Sequence, residues 1–315
     1  MGHSKRLVAI LSDQKALIAV LVIGLVLSLS SGYFLTYNNI VNLFNFMSIE
    51  GPIVVGMAFL IILGELDLSV GSNMAFSCIL AIEFQKYGIL AGVLAGIAGG
   101  TLVGILNGLL VTRLRITSLA VTLGMMVMIS GIVFALTGSL TVKGTNENFT
   151  WLSNPLIWNI SASVIIFLGL VFAFQFLLKR TIFGRSVFAV GGNSFASRLS
   201  GIGVERTRFA CFSFTGSLAG LSGVLLAAKI NVASGRFGDT TALMAITAVL
   251  LGGVNLSGGE GSVLKAFTGF VLIAVLNNAM VLLRLEPSLQ DMIRGLILIL
   301  ILVVDAVNIE RAKYA

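Results

Sequence analysis

The chain has 315 residues, of which 57% are hydrophobic and only 10% charged, and its mean hydropathy is +1.05. A soluble surface calls for roughly a quarter to a third charged residues, so composition excludes a water-soluble globular protein and indicates one embedded in a bilayer. The formal net charge of +7 arises from 20 Lys and Arg against 13 Asp and Glu, with no basic cluster on a soluble fold, which argues against a nucleic-acid partner.

The N-terminal stretch MGHSKRLVAILSDQK carries basic residues but no apolar run ending in a small-residue cleavage site, so no secretory signal is expected. Arg6 stands where a myristoylation signal needs Ser or Thr. Anchoring must come from the spans, each needing about 20 apolar residues. The long uncharged stretches predict ten helices, near 16–35, 43–64, 68–82, 89–111, 117–137, 160–178, 209–228, 241–256, 262–283 and 288–305. The third, eighth and last are short for a crossing. The expected fold is therefore an all-α integral membrane protein, a single polytopic domain over 1–315.

Basic residues set the orientation. With the N-terminus in the cytoplasm, one set of loops carries Lys5, Arg6, Lys15, Arg113, Arg115, Lys179, Arg180, Arg185, Arg198, Arg206, Arg208, Lys265, Arg311 and Lys313. The other set holds Lys86, Lys143, Lys229, Arg236 and Arg284, and Arg294 falls inside the tenth helix. The positive-inside rule then predicts that both termini are cytoplasmic, a parity that ten spans satisfy.

Within the spans, the fourth helix has glycine at 88, 92, 96, 100, 104 and 108. Four residues advance a 3.6-residue helix by about 40° beyond one turn, so this ridge winds round the helix and should meet more than one neighbour. Gly92, Gly96, Gly100, Gly104 and Gly108 are therefore expected to be packing positions in a central helix. The seventh helix repeats the device with Gly216, Ala219, Gly220, Gly223 and Ala227, whereas Phe167, Phe172, Phe174 and Phe176 make the sixth look lipid-facing. Cys78 and Cys211 sit in apolar runs and read as small buried residues rather than a disulfide.

The two halves share a motif. LGELDLSVG at Leu63 to Gly71 matches LGGVNLSGG at Leu251 to Gly259, with seven of nine positions equal or similar. Both copies interrupt a hydrophobic helix, and breaks at corresponding places in two halves point to a transport pathway, although an ordinary turn between spans would read the same way. Beyond the first break Ser69, Ser72, Asn73 and Ser77 form a neutral polar stripe. With Asp67, Asn255 and Ser257 these residues are the candidate path for a hydroxylated solute. The stripe could equally tie helices together through hydrogen bonds. Asp291 and Arg294 lie three apart on one helix face, which suits mutual neutralisation better than a proton relay.

Residues 179–208 form the only sizeable inward loop. Within it GGNSFASRLSGIG reads as turn, short helix, turn, with Asn193 or Ser194 able to cap the start and Gly201 and Gly203 able to stop it. A short helix between basic flanks suits a docking site for a peripheral partner, and a solvated connector is the plainer alternative.

Four segments, GMAFLIILGELDLSVGS at Gly56 to Ser72, TSLAVTLGMM at Thr117 to Met126, GNSFASRLSGIGVERTR at Gly192 to Arg208 and LLGGVNLSGGEGSV at Leu250 to Val263, resemble the ribose-type sugar permeases of bacterial ABC importers. The likeness covers nearly the whole chain and keeps the motif order. It implies a second permease chain, cytoplasmic ATPase subunits gripping Gly192, Asn193, Ser194, Phe195, Ala196, Arg198, Leu199 and Gly201, and a periplasmic sugar-binding protein, in the bacterial inner membrane among its lipids. The family usually reads GGIDLS where this chain has GELDLS, so Glu65 replaces a glycine and leaves the local backbone or the substrate preference open. The related branched-chain amino-acid permeases usually carry a histidine-glycine pair after the first break, and here the only histidine is His3, which favours sugar.

No GxxxxGK[ST] loop occurs, so ATP must be hydrolysed by another chain. No cofactor motif, no metal-ligand spacing and no nucleophile paired with a base is found, which argues against an intramembrane enzyme. Three transport readings remain. One is ATP-driven alternating access for a small sugar or, failing that, a branched-chain amino acid or other small polar solute. The others are a gradient-driven carrier, disfavoured by the few ionisable residues within spans, and a passive channel.

Overall fold

The computed structural model describes residues 15–157 and 160–314, with the side chains of 157 and 304–314 left aside. The basic residues Lys5 and Arg6 lie outside them. Among the described residues twelve α-helices follow in order: α1 Lys15–Ser30, α2 Tyr37–Ile62, α3 Val70–Phe84, α4 Ile89–Arg113, α5 Ser118–Thr137, α6 Ala162–Arg180, α7 Ile182–Gly192, α8 Ser194–Leu199, α9 Val204–Ile230, α10 Thr241–Leu251, α11 Val263–Leu282 and α12 Pro287–Tyr314. Among the described residues, α2, α4, α5, α6, α9 and α11 are long and apolar enough to cross a membrane. Helices α1, α3, α10 and α12 occupy the other four expected positions.

The expected all-α class is modified by two short antiparallel ladders between α5 and α6 and after α9. Strand β1 (Val142–Lys143) pairs with β4 (Val232–Ala233), and β2 (Pro155–Ile157) pairs with β3 (Ile160–Ser161). They pair backbone groups that have no helix to serve them.

Helices α3, α4 and α9 form the centre, and glycine permits it. A Cβ on Gly100 would overlap Gly220 of α9, and one on Gly104 would overlap Phe212 and Gly216. Gly108 faces Phe209 of α9, Gly96 lies between Val224 of α9 and Ser77 of α3, and Gly92 faces Ala81 of α3. The ridge thus turns from one neighbour to the other as its spacing requires. Gly88 is different: it precedes α4 with φ +123° and meets nothing.

Helix α6 is only partly lipid-facing. Phe172 and Phe176 are exposed, but Phe167 is buried because its ring lies directly on the side-chain-free surface of Gly51 in α2. Phe174 packs on Phe59 and Phe214. The apolar stripe facing α2 was hidden by the uniform hydrophobicity of the helix. Cys78 and Cys211 are free and buried.

Candidate functional site

The repeated motif builds the same device twice. Helix α2 stops at a left-handed Gly64 (φ +79°), with Gly64 N–H bonded to Ile61 O and Glu65 N–H to Leu60 O. Helix α10 stops at Gly253 (φ +84°), with Gly253 N–H bonded to Leu250 O and Val254 N–H to Val249 O. Both are the 6→1 helix-ending turn that glycine favours. In the alignment of the two copies the left-handed residue is shifted by one, Gly64 matching Gly252 and Glu65 matching Gly253. Because Gly64 already supplies the left-handed turn, position 65 tolerates a side chain, and Glu65 is not among the positive-φ residues.

An Asx turn follows in each copy. Asp67 Oδ1 accepts from Ser69 N–H at 2.8 Å and Asn255 Oδ1 accepts from Ser257 N–H at 2.9 Å. Asp or Asn at this place therefore has a local reason, the backbone bond two residues on. The copies differ in depth: Asp67 and Ser69 are buried, Asn255 is half-buried and Ser257 is exposed.

The stripe on α3 points into the helix centre. Asp67 also accepts from Ser69 Oγ at 2.6 Å and from Asn107 Nδ2 at 3.3 Å, and Asn107 donates to Ser69 Oγ at 2.8 Å. Ser72 Oγ donates to Ser69 O, Asn73 Nδ2 donates to Gly100 O at 3.1 Å and Gly216 O at 3.4 Å, and Ser77 Oγ donates to Asn73 Oδ1. These groups join α3 to α4 and α9. Asn107 was not singled out in the sequence, yet it is the one amide on the glycine face of α4, between Gly104 and Gly108.

Both breaks meet the 181–203 loop. Gly259 N–H bonds to Ile62 O at 2.8 Å, so the second motif ends on the last turn of α2. A Cβ on Gly191 would overlap that same Ile62 carbonyl, one on Gly258 would lie 2.9 Å from Gly191 O and 3.1 Å from Gly64 N, and one on Gly259 would lie 2.8 Å from Gly192 Cα. Lys179 Nζ donates to Gly261 O at 3.0 Å. Five glycines thus let three backbones touch, and Gly191 was missed because its role depends on partners far off in the chain.

Helix α8 starts as the sequence suggests: Asn193 Oδ1 accepts from Ala196 N–H at 2.9 Å. It stops at left-handed Gly201, φ +79°. The 11-residue α7, which ends at Gly192, lay outside the expected turn-helix-turn and makes Gly192 helical. Ser197 is buried, whereas Phe195 and Leu199 are 72% and 76% exposed on one side of α8. An Arg198–Glu205 ion pair ties α8 to the first turn of α9, and Arg208 one turn further pairs with Glu65 at 2.8 Å. The Nε–H points off the line to the carboxylate, so this contact is an ion pair rather than an aligned hydrogen bond. Glu65 therefore connects the first break to α9, and a cavity of about 480 Å³ opens beside this pair.

A second polar cavity, of about 510 Å³, lies at the far end of α10. With 11 residues α10 rises about 16 Å, roughly half the hydrocarbon thickness, and is too short to cross it alone. Gly238 and Gly71 are so close that a Cβ on either would overlap the other's backbone, which brings the 234–240 segment before α10 to the first turn of α3. Arg236 and Asp239 of that segment both line the cavity. On the cavity's other side Arg294 pairs with Asp291 at 2.7 Å, as their spacing predicts.

A multi-pass helical bundle with paired helix breaks around a polar interior is a membrane permease. The chain belongs to the family described as the branched-chain amino acid transport system permease component, whose model matches residues 39–302. It is 34% identical over 302 residues to the ribose import permease protein RbsC of Escherichia coli K12, covering 94% of each chain. It is 37% identical over 304 residues to the probable ABC transporter permease protein YphD of the same organism, covering 95% of this chain and 91% of that one. It is 35% identical over 287 residues to the L-arabinose ABC transporter permease protein AraH of Azospirillum brasilense, covering 90% of this chain and 85% of that one. No solved structure matches the chain.

Proposed function

We propose that the chain is the membrane-spanning subunit of an ABC importer that moves a small, ribose-like monosaccharide into the cytoplasm by alternating access. The observation that carries this reading is the contact of both helix breaks with the 181–203 loop around Gly64, Gly191 and Gly259. A passive channel has no use for a lever resting on both breaks. The names of the relatives, ribose and L-arabinose permeases, support sugar as the cargo.

In this account a separate ATPase subunit hydrolyses ATP and grips α8 through exposed Phe195 and Leu199, with Gly192, Asn193, Ser194, Ala196, Arg198 and Gly201 shaping the grip. A periplasmic sugar-binding protein delivers the cargo, and a second permease chain, identical or related, completes the pore. The single domain crosses the inner membrane ten times with both termini in the cytoplasm, which puts the loop face inside, in accord with its excess of Lys and Arg. Closure of the ATPases displaces α7 and α8. The displacement reaches α9 through Arg198–Glu205, the first break through Arg208–Glu65, and both breaks through the glycine contact. The path runs beside α3: Asp67, Ser69, Ser72, Asn73 and Ser77 set the first break against α4 and α9, and Asn255 and Ser257 form its inner end.

The test is the energy source. Uptake of labelled pentose by cells carrying the importer should survive collapse of the proton and sodium gradients and stop when ATP is depleted. Dependence on either gradient would overturn the reading, and competition by leucine would move the cargo to the amino-acid branch that the family's description names.

A further inference from the structure

We infer that the 510 Å³ cavity at the outer end of α10 is a polyol-binding subsite in which Glu50 accepts hydrogen bonds from sugar hydroxyls. This rests on the proposed sugar-import function and names the site that function requires. Glu50 lies in the middle of α2, between two uncharged stretches, and an acid at such a place points to a functional site. Its carboxyl accepts from the Thr241 hydroxyl and lies near Arg294, and its Oε2 has no hydrogen-bond partner in the protein.

The rest of the wall decides the ligand class. Arg294 donates from Nε to Asn277 at 2.9 Å, from Nη1 to Asp291 at 2.7 Å and from Nη2 to Gln290 at 3.3 Å, so this guanidinium is engaged by its own neighbours. Arg236 is exposed. Two carboxyl groups, Glu50 and Asp239, line the wall as acceptors, the first also taking a hydrogen bond from the Thr241 hydroxyl. An uncharged polyol supplies O–H donors to these carboxyls, can accept from Arg236, and brings no charge of its own to be neutralised. Phe237 adds an aromatic wall for the C–H face of a sugar ring. The volume falls within the ~300–1,000 Å³ range of small-molecule sites. The irregular 236–240 backbone lines this cavity, the kind of place where a membrane protein tolerates backbone outside helices.

The experiment uses the full importer, permease with ATPase and binding protein, in proteoliposomes. Glu50→Gln and Glu50→Asp are compared with wild type for ATP-driven uptake of ribose and of 2-deoxyribose. The expected result is a fall of about tenfold or more in ribose uptake for Glu50→Gln, the loss of one or two charge-assisted hydrogen bonds. The ribose to 2-deoxyribose ratio should change with it, and Glu50→Asp should restore part of the rate. A Thr240→Cys variant gives a second readout that needs no change at Glu50: ribose should slow its reaction with a polar thiol reagent. Wild-type uptake with an unchanged ratio in Glu50→Gln, or with no protection at Thr240→Cys, overturns the subsite and leaves the importer reading intact. No ATP-driven uptake of any monosaccharide by wild type overturns both.

Discussion

Gly191→Ala tests the glycine contact between the coupling loop and the two breaks. The new Cβ would overlap the Ile62 carbonyl oxygen and lie 2.8 Å from Gly259 N and 3.0 Å from Ile62 C. These are backbone atoms, so no side-chain rotation relieves the clash. The Gly259 N–H···O Ile62 bond must open, at a cost of about 1–3 kcal/mol, and forced repacking adds about 1–3 kcal/mol. Alanine is the better helix former by roughly 1 kcal/mol at this position in α7, which offsets part of the loss. The net expectation is a destabilisation of roughly 1–5 kcal/mol, concentrated where loop and breaks meet. Gly192→Ala is the control, because its Cβ would find its nearest neighbour at an ordinary 4.0 Å. Both variants are compared by melting in detergent and by the ratio of sugar transported to ATP hydrolysed in proteoliposomes. Gly191→Ala should melt lower and waste ATP while Gly192→Ala melts as wild type does. Indistinguishable behaviour of the two would refute the proposed contact.

Four further outcomes follow from the same geometry. Gly100→Ala places a Cβ against Gly220 backbone and should loosen the α4–α9 pair by about 1–3 kcal/mol, whereas Gly124→Ala, with nothing within 4 Å, should be neutral or slightly stabilising in the same melting assay. Asn73→Ala removes two interhelical donors and should lower the melting temperature through a loss of about 1–2 kcal/mol. Glu65→Gly leaves Arg208 without its carboxylate and should cost about 1–3 kcal/mol, with Arg208→Ala giving no further loss on top of it in a double-mutant cycle. Phe195→Ala removes an exposed ring, so melting should be unchanged while sugar-stimulated ATPase activity falls.

The sequence was most informative where a residue's partner lies close in the chain. The Asn193 cap and the Asp291–Arg294 pair are local devices, and each is found as expected, as are the two helix breaks, although the glycine that ends each helix sits one place apart in the two copies. The glycine period of α4 was legible too, because a ridge of absent side chains implies a close neighbour whatever its identity. The aromatic face of α6 misled, since Phe172 toward lipid and Phe167 on Gly51 look alike in a helix that is apolar all round. The polar stripe of α3 was visible as a stripe, but only the fold shows its amides and hydroxyls bonded to Gly100, Asn107 and Gly216. Glu50 had a signal, a lone acid inside an apolar span. Gly191, Gly238 and Asn107 had no comparable mark, because their importance lies in backbones or side chains brought to them from elsewhere in the chain.

The central claim, that this permease moves sugar only when a separate ATPase drives it, is tested most directly by reconstitution. Proteoliposomes holding the permease alone are compared with those holding permease, ATPase and binding protein, and uptake of labelled ribose is followed with and without ATP. The account predicts accumulation in the complete system with ATP and none in the other three conditions. Ribose uptake by the permease alone would contradict it.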